Sequence, residues 1–175
     1  MIYTAQSTVN TPLGDMLLAR TAQGLAGAWF LEGQKDTPED LQEVPYRPQD
    51  ELLCQAAEQV RAYWLGTQHR FELTLDLIGT CFQQDVWRLL LSINPGQQRS
   101  YGDIARDLGK PKGFRAVGMA VGRNPLSIIV PCHRVMGQQG HITGYSGGIQ
   151  RKVALLQHEG FQVDGMQVVV PLVVP

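Results

Sequence analysis

A chain of 175 residues, 43% hydrophobic and 18% charged, can bury one sizeable core or two small ones, which excludes a disordered or collagen-like polymer. No apolar run approaches the roughly 18 residues of a membrane helix, and Met1 to Asn10 holds neither a basic cluster nor an apolar core; the expectation is a soluble, cytoplasmic protein without a membrane role. The net charge of -1 hides a split, because residues 1–81 carry five Lys/Arg against eleven Asp/Glu and residues 82–160 carry ten against four. An acidic half joined to a basic half suggests that one part meets a polyanion, although chance unevenness would give the same totals.

In chain order, Asp15 to Ala19 and Leu25 to Phe30 flank the turn-rich Thr21-Ala22-Gln23-Gly24 and predict a β-hairpin. Gly33 to Pro48 is polar, acidic and proline-bearing, as an exposed connection would be. Asp50 then caps an amphipathic helix with apolar residues at Leu53, Ala56, Ala57, Val60, Tyr63 and Trp64, stopped at Gly66. Phe71, Leu73, Leu75 and Leu77 alternate with other residues and predict a half-buried strand. Gly79-Thr80 marks a domain boundary, since the charge balance changes sign there.

Beyond it, Phe82, Val86, Leu89, Leu90 and Ile93 predict a helix ended by Asn94-Pro95-Gly96. Short helices follow at about Tyr101 to Leu108 and Phe114 to Val121, joined by Gly109-Lys110-Pro111-Lys112-Gly113. These could form a helix-turn-helix or a plain helical corner. Leu126 to Val130 is an apolar run ending at Pro131, and Ile149 to His158 is a last helix.

The three cysteines, Cys54, Cys81 and Cys132, are an odd number without a C-x-x-C pair, which argues against a disulfide framework or a tetrahedral zinc site. Cys132 sits in Pro131-Cys132-His133-Arg134-Val135. A lone cysteine is usually a small buried hydrophobe, but the thiolate is the reactive form and nearby cations favour it. His133 and Arg134 could supply such charge, and Glu159 could orient His133 in a Cys/His/Glu relay. Neighbours in a strand point to opposite faces, so direct contact between Cys132 and His133 needs a turn at Pro131 or a bridging water.

From Thr80-Cys81-Phe82-Gln83 through Pro131-Cys132-His133-Arg134-Val135 to His158-Glu159-Gly160, the chain closely resembles the O6-alkylguanine-DNA alkyltransferases, also called methylated-DNA:protein-cysteine methyltransferases. Ser100-Tyr101-Gly102, Arg115-Ala116-Val117-Gly118, Asn124-Pro125, Gly144-Tyr145-Ser146-Gly147-Gly148 and Arg151-Lys152 fall in the family's order and spacing. Thr11-Pro12-Leu13-Gly14 and its surroundings resemble the family's ribonuclease-H-like domain more loosely.

The resemblance implies an α+β fold. A small ribonuclease-H-like α/β domain would span residues 1–79, and a mostly helical catalytic domain with a DNA-binding helix-turn-helix residues 80–160, leaving 161–175 as a tail. It implies that Cys132 takes the alkyl group from O6-alkylguanine in DNA once and irreversibly; the sequence leaves O4-alkylthymine open as a second substrate. His133 would be the base acting through water, Glu159 its orienter, Asn124 a brace for the cysteine turn and Tyr101 a donor to the departing guanine. Tyr145, Ser146 and Val135 would line the base pocket. Arg115 would enter the stack in place of a flipped base, with Ala116 allowing close approach to the minor groove, although an ordinary surface arginine would look the same. Lys110, Lys112, Arg123, Arg151 and Lys152 would contact phosphates of double-stranded DNA. Neither metal nor cofactor is expected, and the protein would act as a monomer. Two rivals remain: a DNA-binding module that needs no Cys132, and a cysteine hydrolase that turns over.

Overall fold

A computed structural model describes residues 2–169 of the chain. Two compact units emerge, one of residues up to Ile78 together with Pro125–Ile129, the other of Gly79–Asn124 together with the residues from Val130 on. Pro125–Ile129 joins the first unit because the backbone of Pro125–Ser127 pairs with Ala28.

In the first unit, β1 (Ala5–Val9), β2 (Met16–Arg20) and β3 (Leu25–Phe30) form an antiparallel sheet in that order. The β2–β3 hairpin lies where the turn chemistry predicts it, and β3 is buried along its whole length. β1 has no sequence signal, since Gln6, Ser7 and Thr8 interrupt its apolar pattern. The helix α1 (Glu51–Trp64) begins where the Asp50 carboxylate accepts the Leu53 amide, and it buries Leu53, Ala56, Ala57, Val60 and Tyr63.

Two expectations fail here. Gly33 to Pro48 is not wholly an exposed connection: a 3-10 turn over Glu39–Glu43 carries Leu41, which with Val44 packs against Ala19 and Trp29. Phe71 to Leu77 forms no strand. Its backbone meets β3 only around Leu25, through the amide of Leu25 to Thr74 and of Asp76 back to Leu25, and two bonds do not make a ladder.

The second unit opens with α2 (Cys81–Leu91), whose Thr80 and Gln83 form a reciprocal capping box. Its strongest anchor is Trp87, 1% exposed, whose indole donates to the Ala120 carbonyl at 2.8 Å. Truncating such a ring costs about 3–5 kcal/mol. The strand β4 (Arg99–Ser100) leads into α3 (Tyr101–Asp107), again through a capping box, here Ser100 and Asp103. Gly109, at φ 67°, ends α3 with amide bonds from Gly109 to Arg106 and from Lys110 to Ala105, the Schellman pattern that only a residue tolerating the left-handed region closes easily.

Helix α4 (Phe114–Gly122) packs on α2 and α3, completing the helix-turn-helix. Strand β5 (Val135–Met136) runs parallel to β4, pairing Arg99 with Val135 and Ser100 with Met136. After α5 (Ile149–His158), residues 162–169 are no mere tail. Strands β6 (Gln162–Asp164) and β7 (Gln167–Val169) form a hairpin, and Phe161 and Val168 join Met136, Ile142 and Leu156 in a core. The expected tail's last six residues, 170–175, lie outside the described residues, as does Met1. No helix among the described residues is long and apolar enough to cross a membrane.

Candidate active site and nucleic-acid face

Pairing of β4 with β5 sets the site. β4 ends at the cap of α3, so Tyr101 starts its helix beside the strand that leaves the cysteine turn. That turn is built by Pro131, whose ring suits its φ of -79°; with ψ 61° and the Cys132 amide bonded to the Val130 carbonyl at 2.7 Å, it makes an inverse γ-turn. A 3-10 turn over Cys132–Arg134 follows, which removes the strand alternation that would have sent Cys132 and His133 to opposite faces. Asn124, fully buried at the end of α4, braces it: Nδ2 donates to the Val130 carbonyl at 2.9 Å and to Cys132 Sγ at 3.1 Å.

Behind the sulfur lies a buried charge cluster. His133 Nε2 is 2.7 Å from Glu159 Oε1, and Arg134 grips both carboxylate oxygens at 2.8 Å while donating to the Ile93 carbonyl. Burial alone would raise the Glu159 carboxyl, but His133 and Arg134 outweigh it and hold the group well below the usual carboxylate range. Burial pushes the His133 imidazole below its usual value, against the pull of Glu159 and with the help of Arg134 and Lys152. A neutral imidazole beside an acceptor-only carboxylate carries its proton on Nε2. Nδ1 is then a bare acceptor, and it is buried without a hydrogen-bond partner among the described residues.

Tyr101 is half-buried, with its hydroxyl 2.9 Å from Thr143 Oγ1. Burial, opposed by the Thr143 bond and aided by Cys132, raises the phenol, so it is a donor at neutral pH. Ser146 Oγ is buried without a hydrogen-bond partner among the described residues, and Tyr145 is half-buried in the turn closed by the Gly148 amide on the Tyr145 carbonyl. Among the described residues no group of three or more His, Cys, Asp or Glu could hold a metal ion.

A second, exposed surface runs along α4. Every acid between residues 82 and 160 has its own cation: Asp85 pairs with Arg88, Asp103 with Arg106, Asp107 with Arg99, and Glu159 with His133 and Arg134. No acid occurs between Asp107 and Glu159. Lys110, Lys112, Arg115 and Arg123 remain, exposed and without an ion pair to any described residue, with Ala116 exposed among them.

Comparison with known proteins joins the two surfaces to a function. Residues 4–77 match the 6-O-methylguanine DNA methyltransferase ribonuclease-like domain, and residues 81–161 the DNA binding domain of the same name. The chain belongs to the 6-O-methylguanine DNA methyltransferase family. It is 45% identical over 152 residues to the methylated-DNA–protein-cysteine methyltransferase of Mycobacterium bovis, covering 87% of this chain and 90% of that one. With the Salmonella typhimurium protein of the same name it shares 38% over 169 residues, 92% of this chain and 98% of the other. Among solved structures, Mycobacterium tuberculosis OGT in complex with DNA superposes with a TM-score of 0.80 at 44% identity, over 89% of this chain and 92% of that one.

Within this member of the family, several expected residues behave differently from what sequence spacing suggests. Lys152 cannot contact phosphate: it is fully buried, and its Nζ donates to the Val135 carbonyl at 2.6 Å. Desolvation lowers its ammonium from 10.5 to about 8, and attraction to Cys132 partly offsets that. The sequence held the signal, because Lys152, Leu155, Leu156 and Glu159 follow i, i+3, i+4, i+7 and so share the inward stripe of α5. Val135 is buried too, and its carbonyl is the Lys152 acceptor. Arg134, read as a source of positive charge near Cys132, makes its side-chain ion pair with Glu159. Arg151 donates to the Gly147 carbonyl at 2.9 Å, holding the Tyr145–Gly148 turn to α5. Thr143 had no sequence signal, being an ordinary loop threonine until the fold puts it on Tyr101.

Proposed function

We propose that this family member repairs DNA by moving the alkyl group of O6-alkylguanine onto Cys132, once per molecule. The observation that carries the reading is the bare Nδ1 of His133, locked in that tautomer by Glu159 and Arg134 beside a cysteine braced by Asn124. The thiol proton passes through one water to Nδ1. The thiolate attacks the alkyl carbon in line, the S–C bond forms as the C–O6 bond breaks, and the electron pair goes to the guanine. Tyr101, kept protonated by burial and oriented by Thr143, donates to the base as that negative charge develops. Lys152 places a buried cation near the sulfur, and a cation there favours the thiolate. The product thioether has no easy leaving path, so the protein does not turn over.

A base stacked in a duplex cannot present O6 to a buried sulfur, so the nucleotide must be extruded, at a few kcal/mol. Helix α4 enters the minor groove, Arg115 fills the gap, and Lys110, Lys112 and Arg123 meet phosphates, with Ala116 permitting close approach. Tyr145, Ser146 and the Val135 segment line the pocket for the extruded base. The protein works as a monomer in the cytoplasm, on chromosomal DNA. Cys132→Ala should abolish alkyl transfer while duplex affinity stays within a few fold, because exposed cations hold the DNA and sulfur serves only chemistry. Second-order transfer rates and gel-shift affinities measure both; persistent transfer by C132A would refute the assignment.

A further inference from the structure

The helix that presents Arg115 also carries two large apolar side chains left in solvent. Phe114 is 50% exposed and Met119 61%. Met119 lies four residues after Arg115, one turn further along the same face of α4. Phe114 adjoins Arg115 on the other side, with the guanidinium carbon 5.9 Å from its ring centroid, close enough for the ring to bias where the arginine points. The two apolar groups border different clefts of this unit. Phe114 lines one of about 760 Å³ shared with Tyr101, and Met119 lines one of about 220 Å³ shared with Phe82 and Arg123. They therefore lie on either side of Arg115, Phe114 one position before it and Met119 one turn after it.

Exposed phenyl and thioether groups set in a basic surface, where Asp103 in the Phe114 cleft is already paired with Arg106, suit one partner well. The phosphates of a duplex match the surrounding cations, while base faces that have lost a stacking neighbour offer apolar area in the groove between them. Proteins that open the minor groove use such side chains as wedges.

We propose that Phe114 and Met119 are apolar wedges on either side of Arg115, each covering one of the two base faces bared when the alkylated guanine leaves the stack. This rests on the reading of α4 as the face that enters the minor groove. Arg115 fills the hole itself, and the two apolar groups keep the neighbouring bases from collapsing into it.

The test compares second-order alkyl-transfer rates on a fully paired O6-methylguanine duplex and on the free modified base, for the wild type and for Phe114→Ala, Met119→Ala, Met119→Leu and Arg115→Ala. Each wedge truncation should lower the duplex-to-free-base rate ratio about tenfold, since only the duplex has a stack to hold open. Met119→Leu should restore the ratio to within about twofold, because bulk and apolarity are what the role requires. A ratio unchanged in both F114A and M119A while R115A lowers it overturns the wedges alone. A ratio unchanged in R115A as well overturns the minor-groove reading beneath them.

Discussion

Lys152 and Arg115 come from the same acid-poor stretch of sequence, yet Lys152 is fully buried with its Nζ on the Val135 carbonyl and Arg115 is exposed on α4. Around Cys132 the protein takes charge out of water. His133, Arg134 and Glu159 interlock there, and Lys152 is buried with its Nζ on the Val135 carbonyl. Along α4 the cations stay exposed and form no ion pair with any described residue. In the buried arrangement, removing one partner of the ion pairs leaves an uncompensated charge. Under the proposed function, the other contributes DNA affinity in small, separable steps.

Breaking the buried cluster should therefore have the largest effect. Glu159→Gln leaves Arg134 without its buried counter-charge and replaces an acceptor-only carboxylate with an amide that can also donate, so the His133 tautomer is no longer fixed. Unfolding in urea should show a loss of about 3–5 kcal/mol, and the transfer rate should fall on the order of a hundredfold. The pH dependence follows from the same groups. Glu159 sits below the usual carboxylate range when folded, so its pairing stabilises above about pH 4.3 and is lost as the pH falls through the folded value. His133 is also lowered; below about pH 6.5 the unfolded chain binds a proton that the folded chain resists, which again destabilises in acid. Melting temperature should drop from about pH 7 to about pH 4, and E159Q should flatten the lower part of that curve.

Lys152→Met separates tuning from stability. The folded ammonium is lowered to about 8, so below that pH the fold carries a desolvation cost that fades as the pH rises towards 10.5. Replacing it with an apolar side chain of similar length should leave stability at neutral pH unchanged or higher. Reaction of Cys132 with a small alkylating agent should slow about tenfold, and its pH–rate midpoint should move upward. A stability loss without a change in that profile would make Lys152 a packing residue.

The exposed surface should respond more gently. Arg115→Ala should slow repair of duplex DNA far more than reaction with the free modified base. Lys112→Ala, the smallest change, should weaken binding to alkylated and intact DNA alike and reduce the slope of log affinity against log salt by roughly one. Equal effects of both variants on both substrates would erase the distinction between stack and phosphate contacts.

Helices read well from sequence because each carries its own signals: Asp50 caps α1, Thr80 and Gln83 box α2, and Gly109 closes α3. Of the cysteine motif, the contacts of Asn124 with Cys132 and of His133 with Glu159 were legible from the motif's spacing. What failed depended on distant partners. The alternation of Phe71 to Leu77 is real, but a strand also needs a neighbour with a free edge, and β3 offers this segment contact only at Leu25. Arg134 and Lys152 were read by charge alone, although helical phase already placed Lys152 on the inward stripe. Thr143 shows the limit most plainly, since its link to Tyr101 spans 42 residues and exists only after β4 and β5 pair.

Intact-mass measurement after incubation with an O6-methylguanine duplex, followed by peptide mapping, tests the central claim most directly. One methyl group per protein molecule, located on Cys132, with the count saturating there however much DNA is added, is the expected result. Methyl on Cys54 or Cys81, or demethylated DNA accumulating beyond one equivalent of protein, would contradict it.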